Sequence, residues 1–142
     1  MRSLIVTVAV VPAAAIAIAI VVAGCGFAVQ APDDFLLTRT GQGPKLTLVV
    51  NDGGTIRCDG GKPRPISNPL LISARDLVVN LDNDAKAKLR IAPGANSVYE
   101  YTIRMQDGTI SFPDTAAIKR TELAGAEQFA LNALAGPCRG VS

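Results

Sequence analysis

Tyr99-Glu100-Tyr101-Thr102-Ile103-Arg104-Met105-Gln106-Asp107-Gly108-Thr109-Ile110-Ser111-Phe112-Pro113-Asp114-Thr115 is the stretch that decides the fold. Large apolar side chains at Tyr99, Tyr101, Ile103 and Met105 alternate with Glu100, Thr102 and Arg104, the period-two pattern of a strand with one buried face. Gln106-Asp107-Gly108 turns the chain, Thr109-Ile110-Ser111-Phe112 returns, and Pro113-Asp114-Thr115 starts a helix. Leu123, Ala126, Phe129, Ala130, Ala133 and Leu134 form the apolar stripe of that helix, which Gly136-Pro137 stops.

The preceding half follows the same plan. Leu46, Leu48 and Val50 alternate in a strand over residues 45–50. Asn51-Asp52-Gly53-Gly54 makes a hairpin turn, because these residues tolerate positive φ, and Thr55-Ile56-Arg57-Cys58 returns. Asn68-Pro69 opens a helix, with Asn as cap and Pro at the first helical position. Leu70, Leu71, Ala74, Leu77, Val78 and Leu81 form its stripe, and Asp82-Asn83-Asp84 marks its end. In residues 85–92, Leu89 and Ile91 alternate with Lys88 and Arg90, which suits a short edge strand before Pro93-Gly94-Ala95-Asn96 breaks the chain. Laying Asp52-Gly53-Gly54-Thr55-Ile56-Arg57-Cys58 over Asp107-Gly108-Thr109-Ile110-Ser111-Phe112 suggests a duplicated ββα unit. The expected fold class is α+β, one antiparallel sheet with two helices on one face. Its free face would carry Thr47, Arg57, Glu100, Thr102, Arg104 and Ser111, a polar surface suited to a protein partner or simply to solvent.

The N-terminal part is built differently. Arg2 precedes an apolar run over residues 4–22, almost wholly Ala, Ile and Val, and small residues lead into Cys25, the layout of a cleavable export signal. Val22-Ala23-Gly24-Cys25 resembles at every position the motif that signal peptidase reads in bacterial lipoproteins: an aliphatic residue, a small residue, Gly or Ala, then Cys. The resemblance implies cleavage between Gly24 and Cys25, diacylglycerol on the Cys25 sulfur, and often acylation of the freed amine. An uncleaved transmembrane helix is the alternative, since the run approaches the ~20 residues that span a bilayer. Its Ala richness, Pro12 and the small residues at its end favour the signal. Residues 1–24 are therefore expected to be a signal peptide, 25–44 a lipidated tether, and 45–142 a single α+β domain, with the Phe35-Leu36-Leu37 patch beginning contact with it. The partner implied is a membrane, held through Cys25 on its extracytoplasmic face; buried acyl chains contribute ~0.8 kcal/mol per CH2.

The chain has three cysteines in 142 residues. With lipid on Cys25, Cys58 and Cys138 remain, an even number that an oxidising compartment would pair as a disulfide. Two buried free thiols are the other reading. Formal charge is +2, and losing Arg2 lowers it by one, which gives no ground for nucleic acid as a partner. The 49% apolar content is inflated by the signal.

Chemistry is sparse. With no histidine, Ser-His and Cys-His nucleophilic sites are excluded, no metal site is expected, and no cofactor is implied. Asp33-Asp34 and Asp82-Asn83-Asp84 bring the acids that glycoside hydrolysis needs in pairs, but they read as tether and helix end, and the second lacks the glycine and distant Glu of a calcium loop. Gly53-Gly54 and Gly60-Gly61 do not open a helix as phosphate loops do. The whole chain resembles small lipoproteins from the envelope of high-GC Gram-positive bacteria. Its second half, the Tyr-rich strand, turn, Thr109-Ile110-Ser111-Phe112-Pro113-Asp114 and Ala/Leu helix, is similar to emfourin-type inhibitors of thermolysin-like metalloproteases. The expected function is a non-enzymatic, lipid-anchored binding or structural module. Inhibition of secreted proteases is an alternative. Carriage of a lipid or other apolar ligand is another, and it requires a cavity between sheet and helices.

Overall fold

The computed structural model describes residues 33–141, so the expected signal, the Gly24–Cys25 cleavage position and the lipidated Cys25 lie outside the described residues. Asp33–Gly41, expected to belong to the tether, is instead a nine-residue strand, β1. It joins β2 (Leu46–Asn51), β3 (Thr55–Cys58), β4 (Arg64–Pro65), β5 (Tyr99–Met105) and β6 (Gly108–Pro113) in a sheet of order β4-β3-β2-β1-β5-β6. β1 is central and antiparallel to both neighbours, so that Leu37 stands beside Leu48 on one side and Ile103 on the other. Asp33–Gly41 thus belongs to the folded domain, and residues 42–45 are the loop between β1 and β2. The physical reason is burial on both faces at the sheet centre: Phe35 and Leu37 point into the core, while Leu36 is only 5% exposed on the opposite face. An apolar triplet replaces the alternation that would have announced a strand.

Three helices complete the α+β fold: α1 (Asn68–Lys86), α2 (Asp114–Ala117) and α3 (Thr121–Ala135). The cap of α1 is the extended Ser67, one residue before the expected Asn68, and a proline follows in its first turn as expected. Leu70, Ala74, Leu77, Leu81 and Ala85 are its buried stripe. The helix continues through Asp82-Asn83-Asp84 because Lys86 Nζ donates to Asp82 Oδ2 at 2.7 Å, one turn away, and Ala85 still reaches the core.

The second helical segment, expected as one piece, is broken. Arg120 is extended (φ −136, ψ 109) between α2 and α3. Its guanidinium holds both carboxylate oxygens of Asp84 on α1, at 3.1 and 2.8 Å, and Glu122 Oε1 at 2.7 Å. Residues 85–92 form no edge strand. They make one parallel bridge, in which Ile91 N donates to Ser111 O and Ser111 N to Leu89 O, both at 2.9 Å. This bridge covers the outer edge of β6, and Pro63 and Pro65 blunt the β4 edge.

One apolar core lies between the sheet and the helices. Phe35 on β1 meets Phe129 on α3 edge-on, with ring centroids 5.4 Å apart, and Tyr101 stacks on Phe112, also at 5.4 Å. At the β5–β6 turn the chain passes so close to the end of α1 that any Cβ on Gly108 would overlap the Ala85 carbonyl, so only glycine fits. On the other face of the sheet, Arg57 and Arg104 are exposed, and Glu100, Thr102 and Ser111 partly so. Thr47, expected at solvent, is 6% exposed. Asp59, in the left-handed region at φ 47, folds over it, accepting from Thr47 N at 2.6 Å and donating its own N–H to Thr47 O.

Candidate functional site

Cys58 closes β3 and Cys138 follows α3; the two stand at disulfide distance, with Cα atoms 5.7 Å apart and 80 residues between them in sequence. Both are buried. Arg64 on β4 donates to the Pro137 carbonyl at 2.7 Å, so the C-terminal segment is held to the outer hairpin twice.

The end of the sheet where β1 begins is acidic. Asp33 and Asp34, with Asp82 and Asp107 from distant parts of the sequence, line one cleft of about 120 Å³ together with Val78 and Met105. Cations pair with all of them but one. Arg57 pairs with Asp33, Lys86 with both Asp82 and Asp107, and Arg75 with neighbouring Asp52. Asp34, the bulged residue where the β1–β2 register shifts, is the exception. Its Oδ2 is buried without a hydrogen-bond partner, and burial, then Asp52, pushes its carboxyl up. Carboxylates engaged in ion pairs are poor general bases, and this cleft offers no nucleophile with an adjacent base. Among the described residues no group of three or more acidic or cysteine side chains could hold a metal ion.

The opposite end carries a different cluster, which the sequence reading did not single out. Arg39 continues the inward series Phe35, Leu37 on β1, and its guanidinium carbon lies 4.6 Å from the centre of the Tyr99 ring. Arg39 also hydrogen-bonds the Tyr101 hydroxyl, whose pKa is raised by burial first and then by the nearby Glu127 carboxylate. Glu127 projects from α3 beside the fully buried Ala126 and Ala130. The signals were weak: an Arg at the third position of an inward alternation, and a Glu bordering an apolar stripe.

Asp114, at the start of α2, organises the chain entering β5. It accepts from Ser97 Oγ at 3.0 Å and from the backbone N–H groups of Val98, Tyr99 and Thr115. Burial opposes its ionisation, but these four donors outweigh burial and hold its carboxyl below the ordinary range. An Asp114→Ala chain should lose about 1–3 kcal/mol in urea denaturation at pH 7, because three N–H groups and a hydroxyl lose their acceptor. With a lowered folded pKa, Asp114 stabilises the fold above the ordinary Asp value of about 4 and stops doing so as pH falls through the folded value. The gap between the wild type and this variant should therefore close at low pH.

The crevice that an apolar ligand would need, between α1 and the sheet at Phe35, Leu77, Leu81, Ile103 and Met105, is too tight to admit a water molecule. A groove of about 280 Å³ runs between the start of α1 and the end of α3, lined by Ser67, Ser73, Asn132 and Pro137 among others. Among the described residues no helix is long and apolar enough to cross a membrane. Comparisons with protein-family models, curated proteins and solved structures gave no match for this chain.

Proposed function

We propose that this chain is a lipid-anchored protein of the cell envelope whose α+β domain serves as a non-enzymatic binding or structural module. The observation that carries the reading is the partition of the cysteines. Cys58 and Cys138 stand at disulfide distance, which leaves Cys25, at the end of Val22-Ala23-Gly24-Cys25, as the thiol available for lipid.

On this reading the anchor is eight residues before Asp33, a length of chain that spans at most about 28 Å. The acidic end of the sheet then lies nearest the membrane. The Arg39, Tyr99, Tyr101 and Glu127 end stands about 20 Å further out, six strand residues along β1. Labelled palmitate fed to the expressing cell should appear in the wild-type protein and not in a Cys25→Ser chain. Equal labelling of both, or of neither, would contradict the proposal.

A further inference from the structure

We propose that Glu127 is a proton-operated seat for α3: with its carboxyl neutral the helix rests on the sheet at Tyr101, and with the carboxyl ionised the middle of α3 loosens. One carboxyl oxygen, Oε1, is buried and has no hydrogen-bond partner. The groups around it do not neutralise a charge. From β5 comes the Tyr101 hydroxyl, whose oxygen accepts from Arg39 of β1 and which makes no hydrogen bond to Oε1; from α2 comes Asp114, a second carboxylate. Arg39 lies over the Tyr99 ring; its buried Nε has no hydrogen-bond partner, and burial and Asp114, not this cation, set the Glu127 carboxyl. α1 packs on another flank of α3, where Leu77 meets Gly125.

A neutral acid suits such a place and a carboxylate does not. Burial first, and Asp114 second, push the Glu127 carboxyl up to about 7. The folded value lies above the ordinary 4.5, so folding favours the protonated form. That stabilisation is complete below the ordinary value and is lost as pH rises through about 7.

The segment that responds is bounded. At its start Arg120 is tied to Asp84 on α1, and after its end Cys138 is held to Cys58 on β3. Loss of the proton therefore opens the middle of α3 between two fixed points and leaves the rest of the fold in place. In an extracytoplasmic domain this would tie the surface around Arg39 and Tyr99 to the pH of the surroundings.

Backbone hydrogen exchange of the full-length protein at pH 5.5 and 8.0, corrected for base-catalysed exchange, tests this. Protection of residues 123–131 should fall roughly tenfold at the higher pH, a full shift being discounted for partial exposure. In Glu127→Gln, which keeps the shape and removes the charge, it should not fall. Unchanged protection in the wild type, or the same fall in the variant, would overturn the proposal. A carbon NMR titration of Glu127 in the wild type is independent of how the variant folds. A midpoint near 7 agrees with the proposal, and a midpoint near 4.5 contradicts it.

Discussion

A Leu37→Ala chain is expected to lose about 2–5 kcal/mol of stability, read as a lower urea midpoint at an unchanged slope. Leu37 is fully buried, lies on the middle strand, and stands between Leu48 and Ile103. Its removal opens a cavity that neither neighbour can fill without moving a strand that has its own partners. Val79→Ala on the outer side of α1, where the side chain is 74% exposed, is the control and should cost under about 0.5 kcal/mol. If residues 33–44 were the flexible tether that their position suggests, the two substitutions would behave alike. A loss at Leu37 no larger than at Val79 would remove β1 from the fold.

Replacing Cys58 and Cys138 together by alanine should cost about 4.5 kcal/mol, the chain-entropy value for a closed loop of this length. For a domain of this size that lowers Tm by about 15–20 °C. The loop runs from the end of β3 to just beyond α3, so it encloses β4, α1, β5, β6, α2 and α3. Opening it frees most of the chain in the unfolded state. Its loss should also weaken the contact between Arg64 and Pro137, which depends on the C-terminal segment staying against the hairpin. Stability within about 1 kcal/mol of the wild type would contradict this expected contribution.

Most of the secondary structure was legible because it rests on local rules. The alternation of Tyr99, Tyr101, Ile103 and Met105 yields β5, the Asn51-Asp52-Gly53-Gly54 turn yields the β2–β3 hairpin, and the α1 stripe lies at the expected residues. What was not legible depends on partners far away in sequence. β1 has no alternation because the centre of the sheet buries Leu36 as well as Leu37. The break before α3 depends on Asp84, which lies 36 residues before Arg120. Thr47 is buried by Asp59, whose backbone adopts a conformation that sequence spacing does not announce. Nothing in the sequence singles out Glu127 or Arg39, which the fold brings near Tyr101. Both hairpins flank β1 and each is followed by helix, so a duplicated ββα unit remains a proposal that the strand order accommodates.

Three cysteines divide the labour of anchor and bridge, and the most direct test of that division is the intact mass of the protein recovered from the membrane fraction of its host, before and after reduction and alkylation. The expected product lacks residues 1–24, carries acyl chains on Cys25, and gains two alkyl groups only after reduction. A full-length mass with three thiols that react without reduction would contradict both the anchor and the Cys58–Cys138 bond.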